Sequence, residues 1–390
     1  MDKVEELLTR GVANIIPNKE TLKKLLASGK KLNIYLGIDP TATRLHLGHT
    51  VALRKLNEFA KLEHNVTFLI GDFTALVGDT SDKDSQRPIL TPEEIEENFK
   101  TYKKQAEEIL DFSRVIIRHN SEWLKKLTYE ELIKLKRQFS LNDFISRELI
   151  KKRLDMGKSI RLDETEYPIM QGYDSYFLDT DVQIGGADQT FNMQAGRTLQ
   201  KRLRDKESYI LATEFLMGTD GRKMSKSLGN AIWLDDNPND MFAKIMAIND
   251  DLIDQYFILG TNETLEKIEK IKLGKNPMDV KKELARTITT ELHSEKNAED
   301  AKQNFEQTVQ HEELPEDIPV YQYIGGQPVE IIDLLVKTRL AASKSDAKRL
   351  IEQRGVSIDN HVVKNDNMTI KVKNDQVIKV GKRKFIKIKL

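Results

Sequence analysis

Two stretches of this sequence carry residue types suited to phosphate chemistry. His46-Leu47-Gly48-His49 sets two imidazoles around a glycine, after a Pro/Thr-rich turn, Asp39-Pro40-Thr41-Ala42-Thr43. Apolar residues then recur at helical spacing from Val51 to Phe59. Imidazoles donate to phosphate oxygens, and a helix N-terminus adds partial positive charge. Gly48 lets a flat base or ribose approach the backbone. Far along the chain, Gly221-Arg222-Lys223-Met224-Ser225-Lys226-Ser227 reads as a loop with two lysines at spacing three. Attack on an α-phosphate with loss of pyrophosphate would use both stretches. Charge builds on the leaving oxygens, and cations placed there stabilise the transition state more than the ground state. Each stretch alone is weak, because a helix cap with two surface histidines or a solvated basic turn looks the same.

A third constellation is Tyr167-x-x-x-Gln171-x-x-Asp174, which puts three polar side chains on one helix face. Ile169, Met170 and Phe177 supply apolar surface nearby. A phenol ring fits such a face if its hydroxyl meets a carboxylate. Asp174 is a suitable acceptor, and Tyr35, at the end of an apolar run, a suitable partner. Asp79, Tyr167 and Gln171 then remain for an ammonium group. An ordinary exposed helix face remains the plain alternative.

The elements that must hold these residues alternate β and α. Strands are expected at Leu32–Gly37, Asn65–Ile70, Arg114–Arg118, Val182–Ile184 and Ser208–Thr213, the last closing the sheet. Helices are expected between them, one of them starting at Thr91-Pro92-Glu93-Glu94, an N-cap followed by proline and early acids. Residues before Ser28 read as short helical segments. The alternation predicts an α/β fold with a Rossmann-like, doubly wound parallel sheet, whose ligands sit beyond the carboxyl ends of the strands. That catalytic domain spans 1–230, with a helical insertion at about 114–162. An α-helical domain follows at 231–313. A tract with three prolines and Gly325-Gly326 reads as a linker at 314–328, and a small α+β domain fills 329–390.

The 390 residues balance 62 Lys+Arg against 62 Asp+Glu, so any basic surface must be local. The tail from Val329 is such a surface, with 15 Lys/Arg against 7 Asp/Glu. No cysteine is present, which excludes disulfides and thiolate metal sites. No apolar run reaches the roughly 18 residues of a membrane span, and the acidic, helical N-terminus is unlike a secretion signal. A cytoplasmic protein without a membrane partner is expected.

His46-Leu47-Gly48-His49 and Lys223-Met224-Ser225-Lys226-Ser227 together resemble, in order and spacing, the two signatures of class I aminoacyl-tRNA synthetases. With Tyr35, Asp79 and the Tyr167–Asp174 helix, the chain resembles the tyrosyl-tRNA synthetase family over most of its catalytic part. The resemblance implies that Tyr35 and Asp174 bind the tyrosine hydroxyl, that Asp79, Tyr167 and Gln171 bind its ammonium group, and that Gln189 also contacts it. It implies an ATP site formed by Gly37, Asp39, Pro40, Thr41, His46, Gly48, His49, Gly186, Asp188, Lys223, Met224, Ser225, Lys226 and Ser227. Within it Asp188 meets the ribose, and Thr41 and His46 meet the γ-phosphate. Lys83 and Arg87 join the lysines of the second signature on pyrophosphate. Thr80 and Asp82 depart from the proline and glycine that many members carry in that loop. ATP is a substrate, with Mg²⁺ on its phosphates and no protein-bound metal or prosthetic group.

Leu340 to Val356 resembles a small RNA-binding module named after a ribosomal protein, common at the end of bacterial members. It implies that Lys344, Lys348, Arg349 and Arg354 face tRNA(Tyr). A homodimer through the insertion is also implied. The family rejects phenylalanine by roughly 10⁵-fold, a figure known for tyrosyl-tRNA synthetases and not worked out from this chain, so no editing domain is expected. The tryptophanyl branch shares both signatures, but the Tyr35/Asp174 pair and the basic tail argue against it. An RNA-binding accessory protein on the same fold would not need intact histidines and lysines.

Overall fold

The computed structural model describes residues 2–79, 90–273, 275–307, 318–325, 328–359, 361–381 and 384–390. They form two compact units, Met1–Ala298 and Glu299–Leu390.

The first unit is built on a sheet of β1 (Val12–Ile16), β2 (Asn33–Ile38), β3 (Asn65–Ile70), β4 (Val115–His119), β5 (Val182–Gly186) and β6 (Tyr209–Thr213). Their order is β1-β6-β5-β2-β3-β4. Strands β2 to β6 run parallel, and β1 is antiparallel to β6. Parallel strands covered by helices on both faces read as continuous apolar runs. All five residues of β6 are accordingly buried. The chain leaves β2 toward β3 and β4, then returns to β5 and β6 on the other side. The crevice at the carboxyl ends of β2 and β5 is therefore the topological switch point where ligands bind in such sheets.

The edge strand β1 corrects the expectation of helix alone before residue 28, and of β6 as the last strand. Ala13 and Asn14 are exposed, so this short edge strand lacks an apolar run. A 3₁₀ turn at Leu47–His49 leads into the helix Thr50–Lys61, which buries Val51, Leu53, Leu56 and Phe59. The helix Pro92–Ala106 begins as expected: Thr91 Oγ1 accepts from Glu94 N, and Glu94 Oε2 accepts from Thr91 N. Between β4 and the helix Tyr167–Phe177 lie four short helices, Ser121–Leu124, Tyr129–Lys136, Leu141–Ile145 and Glu148–Asp155. Arg153 and Glu164, both buried, form a two-point ion pair at 2.6 and 3.1 Å in this region. Removing either would strand a buried charge, at a cost of about 3–5 kcal/mol.

The division expected at residue 230 falls inside the first unit. Helices Pro238–Met246 through Pro277–Leu292 belong to it. Arg10 donates to the carbonyls of Phe257, Ile258, Thr261 and Glu263, and Arg54 to that of Gly260. These bonds tie both arginines to the carbonyls at the end of the helix Ile253–Gly260 and of the turn that follows it.

In the second unit a five-stranded sheet runs His361–Val362, Val356–Ile358, Val377–Val380, Lys384–Lys389, Val320–Gln322. Helices Ile331–Lys337 and Lys344–Glu352 share its core with Ile331, Leu334, Leu335, Ile351, Ile378 and Ile388. Val320–Gln322 was expected in the linker but pairs in parallel with the last strand. The three residues of this strand are too few to show a period of two. Among the described residues no helix is long and apolar enough to cross a membrane.

Candidate active site

The turn after β2 carries the first signature into the crevice. Leu47 N donates to Ile232 O at 2.8 Å, and Leu234 N donates to Leu45 O at 2.9 Å. The chain just beyond the second signature thus braces the first. Arg44 adds bonds to Asp235 and Asp236 and lies over the Trp233 ring. The His46 and His49 rings lie 3.8 Å apart. His49 Nδ1 lies 3.1 Å from His46 N and 3.3 Å from His46 O, so the backbone of residue 46 holds the His49 ring. Burial holds both rings neutral, pulling His46 down to about 2 and His49 to about 4. They can serve as neutral donors or acceptors, not as cations. His46 Nδ1 is buried and has no hydrogen-bond partner among the described residues. A Cβ at residue 48 would lie 3.0 Å from that nitrogen. Gly48 therefore makes room first for the His46 ring.

The second signature follows β6. Met217 and Lys223 pair across the loop, and Gly218 N donates to Arg222 O at 2.7 Å. Asn230 closes its base: Oδ1 accepts from Ser225 N at 2.9 Å, and Nδ2 donates to Asp220 Oδ1 at 2.7 Å. Gly221 takes φ +78°, a conformation L side chains rarely adopt. Lys223 Nζ reaches Asp188 Oδ2 at 2.8 Å and lies over the Phe215 ring. Asp188 follows β5, and a Cβ on Gly186 would meet its carboxylate at 2.6 Å. Lys226 is exposed, with no ion pair among the described residues. Met224 is buried beneath the first signature, its Cβ 3.8 Å from where one would stand at residue 48. The two signatures therefore meet at the crevice.

Beside it Tyr35, Leu69, Trp123, Tyr167 and Met170 pack in one buried apolar cluster. Asp174 is buried there. Its Oδ1 accepts from Trp123 Nε1 at 2.7 Å and its Oδ2 from Asn120 Nδ2 at 3.1 Å. Burial pushes its carboxyl up to about 8, against these two bonds, and the neighbouring Asp39 and Asp72 add to the rise. Tyr35 OH does not bond Asp174; it donates to Gln183 Oε1 at 3.1 Å. Gln183 Nε2 in turn donates to Met193 O at 3.0 Å, which fixes the amide so that its oxygen faces Tyr35. Burial, with the nearby Asp174 charge, raises the Tyr35 phenol well above its usual value.

Asp39 takes Tyr167 OH at 2.8 Å on Oδ2 and Thr74 Oγ1 at 2.8 Å on Oδ1. Gly71 is required beside it, since a Cβ there would stand 2.0 Å from Oδ1. Asp79 Oδ2 accepts from Gln189 Nε2 at 2.8 Å and Asn192 Nδ2 at 3.1 Å. Gln171 is half-buried on the Tyr167–Asp174 helix. Gly37 lies in β2, with Pro40 and Thr41 just beyond it, and Thr41 N donates to Asp39 O at 2.8 Å. Lys83 and Arg87 lie outside the described residues, as do Thr80 and Asp82, and so does the Ser227 side chain.

Sequence reasoning missed Asn120, Trp123, Gln183 and Asn192. Gln183 had a legible signal, a polar residue within the apolar run of a central parallel strand. Asn120 and Trp123 follow the carboxyl end of β4, where ligands are expected in such a sheet.

In the second unit Lys344, Lys348, Arg349 and Arg354 are exposed, the first three on one helix. Those three pair with Asp333, Asp366 and Asp346. Exposed pairs of this kind are screened by solvent and hold the side chains only weakly.

Residues 27–310 match the family described as tRNA synthetases class I (W and Y), and residues 310–388 match the tyrosine–tRNA ligase SYY-like C-terminal domain. A tyrosine–tRNA ligase of Thermotoga maritima is 41% identical over 98% of this chain and 96% of its own. One of Photobacterium profundum is 43% identical over 100% of both. Among solved structures, the tyrosyl-tRNA synthetase of Archaeoglobus fulgidus complexed with L-tyrosine superposes with a TM-score of 0.59 at 26% identity. It covers 77% of this chain and 100% of that one. A truncated mitochondrial tyrosyl-tRNA synthetase of Aspergillus nidulans shares the fold, with a TM-score of 0.67 at 23% identity over 78% and 93% of the two chains. Matched along its whole length by such relatives, with both signatures meeting at the switch point of its sheet, this chain belongs to the tyrosine–tRNA ligase family of class I aminoacyl-tRNA synthetases.

Proposed function

We propose that this chain activates L-tyrosine with ATP and passes the tyrosyl group to the 3′-terminal adenosine of tRNA(Tyr). The observation that carries the amino-acid choice is the buried Asp174 carboxyl, held by Trp123 and Asn120 against an aromatic cluster that includes Tyr35 and Tyr167. In the first step a tyrosine carboxylate oxygen attacks the α-phosphorus of ATP, and the bond to the β-phosphate oxygen breaks with loss of pyrophosphate. In the second a ribose hydroxyl attacks the tyrosyl carbonyl and AMP leaves. No side chain is needed as nucleophile. Catalysis is positioning and charge stabilisation.

Asp174 and Tyr35 take the tyrosine hydroxyl; Asp79, Tyr167, Gln171 and Gln189 surround its ammonium end. Thr41, His46 and His49 meet the triphosphate, with Gly37, Asp39, Pro40, Gly48, Gly186, Met224 and Ser225 lining the nucleotide's path. Asp188 takes the ribose, which requires Lys223 to leave it for the phosphates, where Lys226, Ser227, Lys83 and Arg87 join it. Mg²⁺ on the triphosphate would neutralise part of its charge, and Lys223, Lys226, Lys83 and Arg87 would supply the chain's own positive charge. Tyrosine-dependent ATP–pyrophosphate exchange, run beside tryptophan and phenylalanine, tests the reading. Exchange with tryptophan alone, or with none, would refute it.

We further infer a cytoplasmic homodimer formed through residues 114–162. Ile116, Tyr129, Leu141 and Leu162 there are 61%, 77%, 65% and 82% exposed, an unusual set of apolar side chains to leave in water. A monomer mass by light scattering at micromolar concentration would overturn this. Residues 231–313 and the tail from 329, through Lys344, Lys348, Arg349 and Arg354, bind the tRNA.

A further inference from the structure

We propose that Asn98 and Gln105 are positioning residues for the activation step, holding the turn that presents Thr41 and His46. The proposal rests on the reading of those two residues as triphosphate contacts. Asn98, Thr101 and Gln105 stand at i, i+3 and i+7 on the helix Pro92–Ala106 and so share one face. That face is laid against residues 40–45. Asn98 Nδ2 donates to Pro40 O at 2.8 Å. Gln105 Oε1 accepts from Leu45 N at 2.8 Å, while its Nε2 donates to Thr43 O at 3.0 Å. Thr101 Oγ1 also lies 2.6 Å from Thr43 O.

Both amides are buried. Burying them is costly unless they are paired, and an apolar side chain would fill the same interface more cheaply. What they supply is partners for Pro40 O, Thr43 O and Leu45 N, backbone groups of an irregular turn with no ladder of its own. The fixed points bracket the two functional side chains: Pro40 precedes Thr41, and Leu45 precedes His46. On the far side, Leu45 O and Leu47 N are tied to Leu234 and Ile232. The turn is thus clamped between a helix and the chain beyond the second signature. The Gln105 bonds end on Thr43 and Leu45 and touch none of Tyr35, Gln183, Asp174 and Trp123, whereas Pro40, held by Asn98, adjoins Asp39, which accepts from Tyr167 OH and Thr74 Oγ1. Loosening Gln105 should shift the turn and His46 relative to the reacting phosphates and leave the tyrosine site alone, while loosening Asn98 also reaches that site through Asp39.

The test is tyrosine-dependent ATP–pyrophosphate exchange with Gln105→Met and Asn98→Leu in the full chain. Rates are normalised to active sites counted by burst formation of tyrosyl-adenylate, and melting temperatures are recorded. Gln200→Met is the comparator, since Gln200 is an equally buried amide that donates to Ser175 O at 2.8 Å, away from the turn. Gln105→Met should lower kcat per active site by about 10- to 100-fold, the scale of a misplacement near 1 Å. Asn98→Leu, which loses one bond, should lower it less, and KM for tyrosine should stay within about twofold in Gln105→Met. Gln200→Met should lose stability but keep its rate per active site. The proposal is overturned if Gln105→Met keeps its rate, if Gln200→Met loses as much at equal loss of stability, or if tyrosine KM rises in place of a fall in kcat. Absence of exchange in the parent would instead remove the reading beneath it.

Discussion

Replacing Asp174 with asparagine separates recognition of the tyrosine hydroxyl from the rest of binding. Each oxygen of Asp174 accepts one N–H, from Trp123 Nε1 and Asn120 Nδ2. An amide at 174 has one acceptor oxygen and one NH₂, so in either orientation an N–H faces an N–H. A buried donor left unpaired costs about 1–3 kcal/mol of stability. The ligand hydroxyl loses a charge-assisted acceptor, worth about 1.5–3 kcal/mol. At about 1.4 kcal/mol per tenfold, tyrosine affinity should fall roughly 10- to 150-fold. Phenylalanine has no hydroxyl to lose, so the preference for tyrosine should shrink by the same factor. Equilibrium dialysis with both amino acids measures this.

The pH dependence gives an independent check. Asp174 is raised from 3.8 to about 8, so the folded chain keeps a proton that the unfolded chain sheds. Stability from that proton is full below the unfolded value and is lost as pH rises through the folded one. Between pH 5 and 8 the parent should lose stability relative to Asp174→Asn by at most about 1.4 kcal/mol per pH unit. Unchanged tyrosine affinity in the variant, or parallel stability curves across that window, would refute the placement of Asp174.

Lys226→Ala should lower the exchange rate roughly 10²- to 10³-fold with tyrosine affinity unchanged, as expected for a contact made in the transition state; an unaltered rate would exclude the loop from the chemistry. Because burial depresses His46 to about 2 and His49 to about 4, neither gains a proton between pH 6 and 8. The exchange profile in that range should lack any inflection that His46→Asn abolishes, and finding one near 6.5 would contradict the neutral rings. Combined Lys344→Ala, Lys348→Ala and Arg349→Ala should weaken tRNA binding and flatten the slope of log K against log salt by up to about 2–3. Exchange should be untouched, and an unchanged slope in filter binding would show that this helix does not meet phosphate.

What could be read from the sequence follows from how local each signal is. The strands β2, β3 and β5 are buried on both faces, so their apolar runs are plain, and the Thr91 cap lies within three residues of its partner. The signatures are likewise local. β1 and Val320–Gln322 are short strands at sheet edges, paired to segments far along the chain, and leave no period to detect. The supports of the amino-acid pocket are non-local in the same way. Trp123 lies 51 residues from Asp174, and Tyr35 lies 148 from Gln183. The sequence suggests Tyr35 and Asp174 as partners for one hydroxyl, yet it cannot show that Tyr35 OH donates to Gln183 Oε1 and keeps only acceptor capacity for a further partner.

That arrangement has a consequence for how tyrosine enters. A chain of hydrogen bonds runs through Tyr167, Asp39, Thr74, Asn120 and Asp174 to Trp123. Its acids are Asp39 and Asp174, and Asp39, with Asp72 nearby, helps burial to raise Asp174. Bound tyrosine brings an ammonium into this negative field and a hydroxyl that donates to Asp174. Both favour the ionised carboxylate, so binding should expel the proton that Asp174 holds in the free protein. With its carboxyl raised to about 8, Asp174 holds its proton at pH 7 in the free protein, and tyrosine binding should release up to one proton. Calorimetric titration in buffers of different ionisation enthalpy measures the number directly. Asp174→Asn should reduce it to zero. A parent enthalpy that does not vary with buffer would mean that Asp174 is already ionised before tyrosine arrives, and that its two N–H donors outweigh its burial.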